Sequence, residues 1–318
     1  MRIRHFIMLS VLQVAGAYSM LFAQVYRKSP DLRMLASQIT NGSEGDEKKT
    51  RAIYEWVSAN IEYKIRPVHS LPGSPGFSDL DDSGRLKSLD ERVAESVVSL
   101  GKAVCDGYSR LFKVLCNYSG IECELVQGYA RGRKATFATN HTWNAVKLSG
   151  EWKLVDVTWA SGYVFFTGRH FIQERDDRYY MPDPRDFLQD HFPDDPRWTL
   201  LTHFSVPPEF NQSPFRQKSF SKYRIRSYFP GKGVIDAIKG TRVELKLQLA
   251  DADRDRQIGA DPFLDTSSYI SSHAVILQPQ SVAGNMAKYE YVHSDPAVRW
   301  IYLSYNGDII LRYYVRSD

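Results

Sequence analysis

The sequence predicts an α+β domain followed by an all-β sandwich. Segments with helical periodicity crowd into the chain before residue 120, and strand-like segments follow them directly. Beyond about residue 205 no segment of helical period separates one strand from the next. At 318 residues the chain can hold two domains, each with a core. A hydrophobic content of 43% with 25% charged residues excludes a disordered chain. The net charge is only +4 and no run of five like charges occurs, which argues against a nucleic-acid partner.

The chain opens with Arg2 and Arg4 before the apolar run FIMLSVLQVAGAYSMLFA. This reads as a signal peptide over residues 1–23, cut after Ala23, although Leu21 is bulky for its place near the cut. An uncleaved anchor is the alternative, because the run nears the roughly 18 residues that span a bilayer. The reading is an exported protein, periplasmic or extracellular, with no stable membrane insertion after cleavage.

SPDLRMLASQIT predicts a short helix and DEKKTRAIYEWVSANIEYK a longer one, with Ile53, Trp56, Val57 and Ile61 at helical spacing. Residues 66–90 are rich in Pro, Gly, Ser and Asp, a long loop that predicts a lid or specificity element. ERVAESVVSL is the next helix. In GKAVCDGYSRLFKVLC, the residues Tyr108, Leu111, Phe112, Leu115 and Cys116 form one helical stripe, and Cys105 extends it backwards to the helix start. ECELVQGYARG, HTWNAVKL and EWKLVDVTW then read as strands.

Of the three cysteines, Cys105 and Cys116 lie about 16 Å apart on one helix and cannot bridge. Cys116 and Cys123 flank the turn NYSGIE and either pair or stand as two buried thiols; both alternatives leave Cys105 unpaired.

A two-residue turn at Ser149-Gly150 pairs Leu148 with Glu151, so that facing residue numbers sum to 299. Trp143 then faces Asp156, and His141 faces Thr158. His141 and Asp156 fall on one face as diagonal neighbours about 7–8 Å apart at the backbone. A carboxylate on one imidazole nitrogen fixes the tautomer and leaves the other nitrogen to take a proton from a thiol. A Cys–His pair at a helix N-terminus can bring a thiol from about 8.5 down to about 3.5–7.5. Cys105, His141 and Asp156 are therefore candidates for nucleophile, base and orienter, with the Cys105 N–H as an oxyanion donor.

GKAVCDGYSRLF, NHTWNAVKL and EWKLVDVTWASG resemble the transglutaminase-like superfamily, a papain-related group with helices followed by sheet. IYEWVSANIEY resembles that family's N-terminal helix. YYMPDPRDFLQDHFPDDPRWTLL resembles the segment after the core in the kyphoscoliosis peptidase-like branch. The resemblance spans roughly residues 45–203. It implies a papain-like transglutaminase core at 24–203, a Cys105–His141–Asp156 triad and an acyl-enzyme. The family alone does not settle the reaction; because the acidic metal loops of its calcium-dependent cross-linkers are not seen in this sequence, a cysteine peptidase or amidase on peptide or protein amides, without a cofactor, is favoured. A protein-glutamine cross-linker and a non-catalytic scaffold or adhesion protein are the alternatives.

Tyr63, Trp143 and Trp159 are the weaker site candidates, Tyr63 as a second oxyanion donor and the tryptophans as pocket wall. Trp152, His191 and Trp198 read as packing. No metal is expected: Cys105, His141 and Asp156 lack the paired spacing of a zinc site. DADRDRQIGAD, from Asp251, has Asp at calcium-loop positions but lacks the glycine and the final glutamate. Asn41, Asn117, Asn140 and Asn211 head sequons, and a glycan on Asn140 would obstruct His141, which favours a bacterial source.

From residue 204 to 318 the strands TRVELKLQLA, SSHAVILQP, KYEYVHS, RWIYLSY and DIILRYYVR, with a turn at Asn306-Gly307, predict an immunoglobulin-like sandwich. It is expected to hold a cell-surface or protein partner.

Overall fold

The computed structural model describes residues 29–65, 79–81, 83–132, 136–165, 170–259 and 273–317. The signal peptide read over residues 1–23 and most of the 66–90 loop lie outside them. The structure mixes helix and strand as the sequence predicts, with a strand-rich C-terminal region.

Helix α1 (Leu32–Thr40) starts at Asp31, whose carboxylate accepts the Met34 N–H. Helix α2 (Asp46–Asn60) buries Ile53, Tyr54 and Val57, and strand β1 (Glu62–Tyr63) follows it. Helix α3 (Leu89–Leu100) opens on a Ser88/Glu91 capping box and stops at Gly101, whose φ of 63° is left-handed. Strand β2 (Lys102–Ala103) leads into helix α4 (Cys105–Tyr118). All five residues of the predicted α4 stripe are buried.

Strand β3 (Cys123–Ala130), strand β4 (His141–Leu148) and strand β5 (Glu151–Val155) come next. The β4–β5 register is the predicted one, from Leu148 opposite Glu151 to Asn144 opposite Val155. Ser149 and Gly150 both have positive φ, 50° and 85°, as a two-residue hairpin turn with right-handed strand twist requires. The expected strand EWKLVDVTW stops early: the chain coils at Val157 into helix α5 (Val157–Ala160), so Trp159 is helical and Thr158 is no strand partner of His141. Strand β6 (Gly162–Val164), strand β7 (Phe171–Gln173), helix α6 (Pro184–Phe187) and strand β8 (His191–Pro193) complete this region.

Packing divides the chain into two compact units: residues up to Cys123 with Val157–Asp177, and Glu124–Asp156 with Arg178–Asp318. In the first, β1 and β2 pair in parallel, Tyr63 beside Ala103, which ties the end of α2 to the start of α4. The Tyr108 hydroxyl, on α4, donates to the Ile61 carbonyl. Gly107 permits the close packing there, since a Cβ on it would lie 2.8 Å from Ala103 Cβ.

The second unit holds a sheet of order β5-β4-β3-β8. It also holds two further sheets from the C-terminal third. One contains strand β9 (Arg242–Leu249) and strand β10 (Met286–Val292); the other contains strand β11 (Trp300–Tyr305) and strand β12 (Asp308–Arg316). Leu245, Leu247 and Tyr289 of one meet Ile301, Leu311 and Tyr313 of the other in a single core. Asn306-Gly307 joins β11 to β12 with φ of 50° and 84°, the predicted hairpin. A second cluster joins Tyr129, Phe137 and Phe192 to Phe210, Phe215, Trp300 and Tyr302.

Candidate active site

Cys105 is the first residue of α4 and is half-buried. Extended Val104 precedes it and makes no side-chain cap, and the positive end of the helix dipole lies at the thiol. Tyr63, on β1, stands beside Ala103, two residues before Cys105, with its ring 6.0 Å from that of Phe171. Trp159 is half-buried on α5. All three belong to the first unit.

The other half of the predicted site lies in the second unit, and here the geometry is specific. His141 opens β4 and Asp156 immediately follows β5; the two-residue turn sets both on one face, and His141 Nε2 lies 2.7 Å from Asp156 Oδ2. Asp156 is fully buried and His141 nearly so. The Asp156 N–H donates to the Tyr179 carbonyl at 3.0 Å, which holds the chain in place just past the strand end. The side chain of Asn140 brackets Ala130, accepting its N–H at 2.8 Å and donating to its carbonyl at 3.1 Å, and so fixes the residue before His141. The amide that would carry a glycan at this sequon is thus already engaged.

Trp143 is completely buried and its ring stacks beside His141, with centroids 6.1 Å apart at 29°. Gly128 on β3 makes room for that ring: a Cβ there would meet Trp143 Cη2 at 2.5 Å and the Phe192 carbonyl at 2.4 Å. Trp152 and Trp198 pack edge to face at 5.0 Å, as expected of packing residues.

His191 departs from expectation. It is no mere packing residue, because its Nε2 lies 3.0 Å from the same Asp156 Oδ2 that meets His141. Its Nδ1 faces the carboxylate of Asp190. Phe187 stacks on its face at 4.1 Å and Trp143 meets it edge-on at 5.2 Å. The side chain belongs to β8, which pairs with β3 so that His191 stands opposite Ala130. The sequence hint was the Asp190-His191 dipeptide in the post-core segment, which no periodicity connects to Asp156.

Burial pushes the Asp156 carboxyl upward, but the charges and hydrogen bonds of His141 and then His191 outweigh it and hold the group well below the usual carboxylate range. Asp156 is therefore ionised. It fixes the His141 proton on Nε2.

The donor atoms of His141, Asp156 and His191 lie within 4.8 Å of one another. Ligands of a tetrahedral zinc, each about 2.0–2.1 Å from the metal, stand roughly 3.3 Å apart. The contacts of 2.7 and 3.0 Å are those of shared protons. After Asp251, residues Ala252–Arg256 form a short helix capped by the Asp251 carboxylate. Cys116 and Cys123 are buried free thiols, and burial together with Cys123 pushes the Cys116 thiol up.

The transglutaminase-like superfamily matches residues 33–157. The chain carries a transglutaminase-like domain. Kyphoscoliosis peptidase of Mus musculus is 30% identical over 224 residues, 69% of this chain and 31% of that protein. The Homo sapiens protein of the same name matches with the same figures. Lim and transglutaminase domain protein ltd-1 of Caenorhabditis elegans is 26% identical over 207 residues, 60% of this chain and 26% of the relative. The chain thus spans about a third, or less, of the length of these relatives. The transglutaminase-like domain includes Cys105, His141 and Asp156 and ends one residue after the last of them; His191 lies beyond it. Among the described residues, no helix is long and apolar enough to cross a membrane.

Proposed function

We propose that this protein is an exported cysteine peptidase or amidase that cleaves peptide or protein amides through Cys105, His141 and Asp156. The observation that carries the reading is the buried His141–Asp156 pair, with the carboxylate on Nε2. The N-terminus of α4 at Cys105 supports it, because such a terminus stabilises both a thiolate and an oxyanion.

In this reading the Cys105 S–H proton passes to His141 Nδ1 as sulfur bonds to the amide carbon. The carbonyl π electrons move onto oxygen, where the Cys105 N–H receives them, with the Tyr63 hydroxyl as a second donor. Collapse of that intermediate breaks the C–N bond, and His141 returns its proton to the departing amine. Water then attacks the thioester, giving one proton to His141, which passes it to the leaving sulfur. Trp143 and Trp159 wall the site. The region 24–203 carries this chemistry, and 204–318 is an immunoglobulin-like sandwich that holds a protein or cell-surface partner.

The test is the rate of iodoacetamide alkylation of Cys105 against pH, in a protein carrying Cys116→Ser and Cys123→Ser. Fast alkylation that persists below about pH 7 and is lost in His141→Ala supports an activated nucleophile. A single inflection near the free-thiol value of about 8.5, unchanged by His141→Ala, overturns it. Mass spectrometry of the protein with a peptide library then separates hydrolysis from amine incorporation.

A further inference from the structure

Asp156 serves two imidazoles through one oxygen. His141 Nε2 meets Oδ2 at 2.7 Å and His191 Nε2 meets it at 3.0 Å. The other nitrogen of His191 faces the Asp190 carboxylate. An ionised carboxylate only accepts hydrogen bonds, whereas a neutral imidazole donates through one nitrogen and accepts through the other. A ring set between two carboxylates satisfies both contacts only when both of its nitrogens carry hydrogen.

We propose that His191 is a positioning residue of the same site, held as an imidazolium between Asp190 and Asp156, where it fixes the Asp156 carboxylate and draws part of its charge away from His141. This rests on the reading of His141 as the proton acceptor for Cys105. The surroundings are those of a buried cation. The side chain of His191 is fully buried, its partner Asp156 likewise, and Asp190 reaches towards water. Phe187 lies parallel to the ring at 4.1 Å, placing π density over the positive charge. Among the described residues, the titratable groups facing His191 include Asp156 after β5, His141 on β4, Asp190 beside it and the phenol of Tyr179, whose ring centroid lies 6.0 Å away.

The consequence is a tuned base. With Asp156 shared, the His141 imidazolium formed on proton transfer gains less from the carboxylate than it would alone, and it sits 5.5 Å, ring to ring, from a second cation. Both effects ease return of the proton to the leaving amine. Removing a unit charge at 5.5 Å raises the pH at which His141 gives up its proton by up to about two units at an effective dielectric near 20.

Two measurements on the full chain test this. In uniformly 15N-histidine-labelled protein at pH 7, long-range proton–nitrogen spectra show both ring nitrogens of His191 protonated, and Asp190→Asn removes one of the two protons. A neutral His191 tautomer in the wild-type spectrum overturns the proposal without any variant having to fold. In the Cys105 alkylation profile, His191→Gln keeps a neutral donor towards Asp156 and moves the upper inflection to higher pH, by up to the two units above. An unmoved upper inflection, with only a lower unfolding midpoint, makes His191 structural and also overturns it. Failure of the underlying reading looks different. There His141→Ala leaves the alkylation profile of the wild type intact, while the ring spectra still report the protons on His191.

Discussion

Asp194 gives the sharpest test of the electrostatics around β8. It follows that strand three residues after His191 and is almost wholly buried. The Thr139 hydroxyl donates to its two oxygens at 2.8 and 2.9 Å, so one carboxylate braces the approaches to both His191 and His141. Burial dominates, and it pushes the carboxyl up from 3.8 to about 6, against the opposing pull of Thr139 and the Arg312 charge. The folded state thus holds this proton more tightly than the unfolded chain. The group's contribution to stability is complete below about pH 4 and is lost as pH rises through about 6. A shift of about two units corresponds to about 3 kcal/mol at about 1.4 kcal/mol per unit.

In Asp194→Asn the amide oxygen still accepts from Thr139, and the buried NH₂ adds a cost that does not vary with pH. The difference in unfolding free energy, wild type minus variant, should therefore fall by about 2–3 kcal/mol between pH 4 and pH 7.5. Urea unfolding followed by tryptophan fluorescence at four pH values measures it, and subtraction removes the titration of every other group. A difference that stays flat across this range refutes the reasoning.

Three further outcomes follow from the same structure. Asp156→Asn should lower the turnover of any substrate found, or the alkylation rate at pH 6, by about 10²- to 10⁴-fold, because the His141 tautomer is no longer enforced. The same carboxyl is depressed on folding, so its stabilisation holds at neutral pH and is lost as pH falls through its folded value; urea midpoints of wild type and Asp156→Asn should converge towards pH 2. Gly128→Ala should cost about 1–3 kcal/mol or more, because the new Cβ strikes the Phe192 backbone as well as Trp143, and calorimetry would show it as a lower Tm.

The His141–Asp156 pair was legible because a short hairpin propagates register without tertiary help: once Ser149-Gly150 is fixed as the turn, parity alone sets the face of each side chain. The helix stripe leading to Cys105 was legible for the same local reason. The end of β5 was not. V-D-V-T-W alternates like a strand, but the chain coils at Val157, and nothing in the local sequence marks the change. His191 was illegible for a different reason. Its strand is three residues long, too short to show a period, and its partner Asp156 lies 35 residues earlier, so only folded β3–β8 pairing reveals it.

The sequence changes texture near residue 205, but packing continues across it. Phe137 on the N-terminal side meets Phe210 at 4.8 Å and Phe215 at 5.0 Å, ring to ring. Arg312, fully buried on β12, stacks 4.6 Å from the Phe192 and Phe215 rings and donates to the Pro193 and Asp194 carbonyls just past His191. A fragment of residues 24–203 would uncover Tyr129, Phe137 and Phe192 together. Exposing even half of three aromatic side chains uncovers on the order of 300 Å². At about 25 cal/mol per Å² that is about 7 kcal/mol, comparable with the whole stability of many domains. The fragment should therefore aggregate or bind 1-anilinonaphthalene-8-sulfonate strongly, and lose the pH profile of Cys105. A soluble, monodisperse fragment that unfolds cooperatively and keeps that profile would show that the C-terminal sheets are an attachment to the site rather than the support of the strand carrying His191.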